Sequence, residues 1–168
     1  MKYSFITVAI LVFLCVFLFH AKLTASWRDV VRGGYVVITD GDTIKMGRIR
    51  YRLYGIDAPE LRQFCRGERG KNFACGEKAR KALRGLVRGR SVICQPTGAV
   101  SYRRKIATCF VGGVDMGAWM VRRGWAVAYR RFSKKYIKLE EDAKIKKRGI
   151  WGGDFLMPWK WRQGKRLQ

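Results

Sequence analysis

Four carboxylates, Asp40, Asp42, Asp57 and Glu60, and the arginine Arg52 fall within 21 residues of a chain that has only 12 acidic residues in all. Carboxylates gathered in a partly buried place repel one another, so this group needs positive charge among its members. A hard divalent cation with oxygen ligands would supply it, and Arg52 would be a second counter-charge. The only histidine is His20. Beyond it, imidazole bases and Ser-His or Cys-His nucleophiles are excluded. Carboxylates, arginines and a metal remain, and they suffice for a phosphodiester. One carboxylate can deprotonate water while cations neutralise the charge that grows on the phosphoryl oxygens. Arginine suits the second task because its planar fork stays charged and donates two hydrogen bonds to phosphate.

The elements that must position these groups are strands. Asp40-Gly41 is a turn dipeptide between the β-prone runs Tyr35–Thr39 and Thr43–Met46, which predicts a hairpin. A third strand, Arg50–Ile56, ends in a loop fixed by Pro59, because the residue before a proline avoids the helical region. Such strand ends can bring Asp42, Asp57 and Glu60 around one small volume. Each residue also has an ordinary reading. Asp40 could serve only the turn, Asp42 and Asp57 could be caps, Glu60 could be a surface acid and Arg52 a salt-bridge partner.

Val37-Ile38-Thr39-Asp40-Gly41-Asp42-Thr43, followed by Arg52-Leu53-Tyr54-Gly55-Ile56-Asp57-Ala58-Pro59-Glu60, resembles the staphylococcal-nuclease-like (thermonuclease) family. The likeness continues through Tyr102–Ala107, Gly124-Trp125-Ala126 and Gly149-Ile150-Trp151, covering roughly residues 33–152. It implies Ca²⁺ held by Asp42, Asp57 and the backbone carbonyl of Ala58, with Asp40 a carboxylate near the metal but not bound to it. It also implies Glu60 as general base, Arg52 and Arg104 as the phosphate-binding arginines, and Tyr102 and Tyr129 as tyrosines of the nucleotide pocket. The chain departs from the family at Val100-Ser101-Tyr102-Arg103-Arg104, where the usual Asp and turn Gly are missing. Arg103 in a left-handed turn is costly, so this departure predicts a rebuilt turn with Arg104 displaced.

The N-terminus differs from the rest. An apolar run from Phe5 to Phe19, broken only by Thr7, has the length of an export-signal core and is short for a membrane span. Residues 1–25 are read as a signal peptide, cleaved after Ala25, or as an uncleaved membrane anchor, and either places the domain outside the cytoplasm. Cys65, Cys75, Cys94 and Cys109 allow three pairings. Cys94 and Cys109 sit in the arms of one predicted hairpin, and Cys65 and Cys75 bracket a charged loop, which favours Cys65–Cys75 and Cys94–Cys109. Zinc is disfavoured, since Cys-x₂-Cys spacing and a nearby histidine are missing. The chain carries a net charge of +24, and without residues 1–25, which hold Lys2 and Lys22 and no acid, it is +22. Such a potential attracts polyanions, DNA or RNA first among them, with anionic lipid or polysaccharide as other partners.

Two more strands, Ser91–Gln95 and Lys105–Val111, follow a helix at Glu77–Arg88 whose apolar residues recur at helical spacing. Asp115 should cap a helix over Met116–Arg123, and Ser133 one over Lys134–Arg148. Five strands with a helix after the third and others after the fifth predict an α+β fold, a five-stranded OB-type Greek-key barrel with about three helices. The domain is assigned to residues 26–157. The tail 158–168, with Trp159 and Trp161 among basic residues, is expected to pack on its outside. The function that fits is a monomeric, exported, calcium-dependent nuclease of low sequence preference. The alternatives are a non-catalytic nucleic-acid-binding module on the same fold and a basic protein docked on anionic lipid.

Overall fold

The computed structural model describes residues 31–33 and 35–167; the signal or anchor assigned to residues 1–25 lies outside them. The chain divides between Val30 and Val31, and the second unit runs to the C-terminus. Among the described residues no helix is long and apolar enough to cross a membrane.

The hairpin built on Asp40-Gly41 forms between β2 (Val36–Ile38) and β3 (Thr43–Met46), with Ile38 opposite Ile44. Gly41 is required for space: a Cβ there would lie 2.6 Å from the Cβ of Ala58 and 2.9 Å from that of Ala79. β3 pairs in turn with β4 (Ile49–Leu53). The strand expected to continue to Ile56 breaks at Gly55, whose φ of +73° turns the chain into the short β5 (Ile56–Asp57). β6 (Cys65–Arg66) and β7 (Asn72–Phe73) make a small hairpin before α1 (Cys75–Val87). Buried Ala79, Leu83, Leu86 and Val87 give α1 its inward face.

The long arms β8 (Val92–Ser101) and β9 (Arg104–Val111) complete the curled sheet. With β1 (Val31–Gly33) at one edge, its order is β1-β8-β9-β4-β3-β2, and β10 (Val114–Asp115) pairs with β9. Among the described residues the β4–β9 pairing alone is parallel in this sheet, from Tyr51 opposite Lys105 to Leu53 opposite Ala107. That register sets Arg52 and Arg104 on neighbouring strands. β2, β3, β4, β8 and β9 are the five expected strands, and the fold is the expected α+β, OB-type one. The main core lies inside the curl, with Ile44, Tyr51, Leu53, Val92, Ala107 and Val111 packed on Leu83, Met116 and Met120.

α2 (Met116–Arg122) is capped by Asp115, whose Oδ1 accepts from the Ala118 N–H at 3.0 Å. β11 (Val127–Ala128) pairs with β5. α3 is shorter than expected, Ile137–Ile145. Ser133 does not cap it, because the Ser133 hydroxyl accepts from Lys135 N–H in a preceding turn. A 3₁₀ turn (Gly149–Gly152) leads to α4 (Pro158–Arg162), the fourth helix among the described residues, within the tail. Of the tail, Pro158 is buried, Trp159 joins a second apolar cluster around Cys65, Cys75, Val127 and Ile150 with Trp151, Phe155 and Met157, and Arg162 to Arg166 are exposed.

Both expected disulfides are formed, Cys65–Cys75 and Cys94–Cys109. The second joins residues directly opposite each other on β8 and β9.

Candidate active site

A cleft of about 740 Å³ opens at the ends of β3, β4 and β8–β9. Asp40, Asp42, Arg52, Ala58, Glu60, Tyr102, Arg104 and Tyr129 all line it, as does a residue the sequence did not single out, Arg162. Asp57 lies beneath, its side chain fully covered by Arg52 and Arg162.

Asp42 comes from the first residue after the tight turn. Its backbone N–H donates to Asp40 Oδ1 at 2.9 Å, so Asp40 fixes the turn from within. The Asp42 carboxylate is almost wholly buried and accepts from Thr43 Oγ1 at 2.9 Å, from Arg52 Nη1 at 2.7 Å and from the Ala58 N–H at 3.2 Å. Ala58 thus meets Asp42 through its N–H. Burial pushes the Asp42 carboxyl up, and Arg52 opposes it, while Asp40 and Asp57 add to it; the result is about 7.

Arg52 spreads its fork across two carboxylates, with Nη1 on Asp42 Oδ1 and Nη2 on Asp57 Oδ1, each at 2.7 Å. Its pKa rises further even though burial alone would lower it, because Asp42 and Asp57 favour the charged form. Arg104 opens β9 and donates from Nη1 to Thr43 Oγ1 at 3.1 Å. With the altered turn, Arg104 still lines the same cleft as Asp42 and Arg52. Ser101 pairs with Arg104 in register, leaving Tyr102 (φ +48°) and Arg103 (φ +61°) as a two-residue turn. A turn left-handed at both positions matches the strand twist, so the long hairpin holds Arg103 where a glycine would be at ease. Tyr102 is 90% exposed at the tip of that hairpin. Tyr129 donates its backbone N–H to Gly55 and stacks on Trp159 with ring centres 6.0 Å apart.

Glu60 is placed by Gln63, which is completely buried. The Glu60 N–H donates to Gln63 Oε1 at 3.1 Å, and the Gln63 N–H returns to the Glu60 carbonyl at 2.7 Å. The start of α1 closes on the same loop: any side chain at Gly76 would fall on the Glu60 carbonyl. Gln63 Nε2 donates to the Leu156 carbonyl at 2.7 Å and so ties this loop to the tail.

Arg162, the last residue of α4, then reaches the acids from the opposite side. Nη2 meets Asp57 Oδ2 at 2.8 Å, and Nη1 meets Asp57 Oδ1 at 3.0 Å and Glu60 Oε1 at 2.7 Å. Burial would lower its pKa, but the bonds to Asp57 and Glu60 prevail and raise it. The acids thus have the two positive partners Arg52 and Arg162 within hydrogen-bond reach. Among the described residues no three acids, histidines or cysteines converge as a ready ligand set for a metal. The Arg52 fork nevertheless draws Asp42 and Asp57 together through their Oδ1 atoms and leaves their Oδ2 atoms to other partners, and such hard, buried oxygens fit a hard divalent cation.

Fold and cleft together define an OB-type protein whose site is made of carboxylates and arginines. The chain belongs to the family described as Staphylococcal nuclease homologue, which its residues 50–153 match. It is 35% identical over 156 residues to Protein ParB of Escherichia coli, a match covering 82% of either chain. It is 30% identical over 158 residues to an uncharacterized endonuclease of Haemophilus influenzae, across 89% of this chain and 83% of the relative. It is 36% identical over 121 residues to the Succinoglycan biosynthesis protein ExoI of Rhizobium meliloti, across 70% of this chain and 63% of that one.

Proposed function

We propose that this protein is a calcium-dependent nuclease that hydrolyses phosphodiester bonds of DNA or RNA with little sequence preference. The observation that supports this reading most is the convergence of Asp42, Arg52, Asp57, Glu60 and Arg104 at one cleft, in a chain whose relatives include a protein named an endonuclease. In this reading Glu60 takes a proton from water as its oxygen attacks phosphorus. The bond from phosphorus to the 5′-oxygen breaks, the leaving oxygen takes a proton from solvent, and a 3′-phosphate and a 5′-hydroxyl result. Arg52 and Arg104 donate to the phosphoryl oxygens as their charge grows. Asp42, Asp57 and the Ala58 carbonyl would hold Ca²⁺, with Asp40 nearby, and the bound ion would supply further positive charge at the phosphoryl oxygens. Tyr102 and Tyr129 line the cleft for the nucleotide.

The net charge of +24 supports a polyanionic substrate. The two disulfides support action outside the cytoplasm, in the periplasm or as a secreted monomer, with residues 5–19 as export signal or membrane attachment. A second reading, a binding module without catalysis, is favoured by one contact: Arg162 sits on Glu60 Oε1. The deciding experiment is degradation of single- and double-stranded DNA and of RNA with Ca²⁺, with Mg²⁺ and with chelator, beside Glu60→Gln. Calcium-dependent cleavage that falls about 100-fold or more in the variant, with binding retained, is the expected result. Binding without cleavage under every condition would give the second reading the site.

A further inference from the structure

Asp57 Oδ2 faces the Arg162 guanidinium, and the same guanidinium holds one oxygen of Glu60. A carboxylate oxygen bonded to arginine is a poor ligand and a poor base, since its lone pairs are committed to a cation that does not deprotonate. Arg52 takes Oδ1 of Asp57, so Oδ2 is the oxygen left for a divalent cation, and a guanidinium bonded to that same oxygen repels the cation. The two are therefore alternatives.

The chain is built so that one can replace the other. The tail is anchored upstream of Arg162: Asp154 exchanges two backbone hydrogen bonds with Arg66, Leu156 is held by Gln63, Pro158 is buried, and Trp159 stacks on Tyr129. None of these anchors depends on the Arg162 head group. Its side chain is 38% exposed, and Gln163 to Arg166 after it are all exposed. The arginine can leave the acids while the rest of the tail stays in place.

We propose that Arg162 is a tethered competitor of the divalent cation, holding Asp57 and Glu60 while the cation is absent and releasing both when it binds. The inference rests on reading Asp42 and Asp57 as the cation site. It makes the tail a device that keeps Glu60 from acting as a base until metal is present.

The test is calorimetric titration of the full chain with Ca²⁺, comparing wild type with Arg162→Ala, Arg162→Gln and, as a control for net charge, Arg166→Ala. Removing a competitor should tighten Ca²⁺ binding about tenfold in both Arg162 variants, within the usual range of coupling between two sites, and leave it within about twofold in the control. Hydrogen exchange over residues 160–167 should rise when wild type is saturated with Ca²⁺. Unchanged or weaker Ca²⁺ binding in both variants overturns the competition, while calcium-dependent cleavage in those same proteins would leave the nuclease reading standing. If neither wild type nor variants take up Ca²⁺, the cation site and the competition fail together.

Discussion

Gln63→Leu isolates how Glu60 is held. The side chain is completely buried, and leucine nearly preserves its volume, so the change removes hydrogen bonds without opening a large cavity. Two partners lose theirs: the Glu60 N–H, 3.1 Å from Oε1, and the Leu156 carbonyl, 2.7 Å from Nε2. A buried polar group left unpaired costs about 1–3 kcal/mol, so the pair costs about 2–6 kcal/mol. For a domain of this size that lowers the melting temperature by about 6–18 °C. The loss should be visible in two places at once. Urea unfolding gives the stability, and amide exchange at Glu60 and in the tail beyond Leu156 should speed up. A fall of under about 1 kcal/mol in Gln63→Leu, with the Glu60 amide still protected, would refute the claim that this glutamine fixes the loop.

Three other outcomes are expected. Reduction of the disulfides, which span 10 and 15 residues, removes about 3 kcal/mol for each in the chain-entropy view. Thermal unfolding with and without reductant measures it, and an unchanged midpoint would contradict it. Glu140 is buried against Arg130 and Lys144 and accepts the Ala128 N–H, pinning β11 behind β5. Burial pushes its carboxyl up, but the hydrogen bonds from Arg130 and Lys144 outweigh that and hold it below the ordinary 4.5. A depressed folded pKa means stability that is fully present above pH 4.5 and lost as pH falls through the folded value. Wild type should therefore lose its advantage over Glu140→Gln as urea unfolding is repeated from pH 6 down to pH 3, and a gap that stays constant would refute this. Finally, binding of DNA by the Glu60→Gln protein should weaken linearly with the logarithm of salt, by about 10³-fold or more between 50 and 200 mM if some six phosphates are contacted. A flat salt response would remove the phosphate backbone as the partner.

The half of the site on β3, β4 and β5 was legible because its causes are local. Asp-Gly between β-prone runs produces the hairpin, Gly55 and Pro59 bound the next loop, and pairing then places Arg52 opposite Thr43. The Cys94–Cys109 pairing was legible for the same reason, since one hairpin register makes them direct neighbours. Where single residues were misjudged, a longer element overrode the local preference. Arg103 accepts a left-handed turn because ten residues of β8 and eight of β9 close on it, and Ser133 yields the helix start to a turn of its own.

Arg162 was illegible on different grounds. It meets Asp57 across 105 positions of sequence, at the end of a helix of only five residues with no side-chain cap. Pro158-Trp159-Lys160-Trp161-Arg162 reads as a basic surface segment, and no periodicity distinguishes it from the many other basic stretches of this chain. A place for Arg162 was nonetheless implicit in the acids themselves. Asp42, Asp57 and Glu60 are three carboxylates around the single guanidinium of Arg52, which bonds Asp42 and Asp57 and leaves Glu60 without it. In a chain with 36 lysines and arginines, a cluster of acids this close to the surface attracts a basic side chain whenever a metal does not hold it. Composition therefore predicts a resident cation at these acids, and topology alone decides that the tail delivers it.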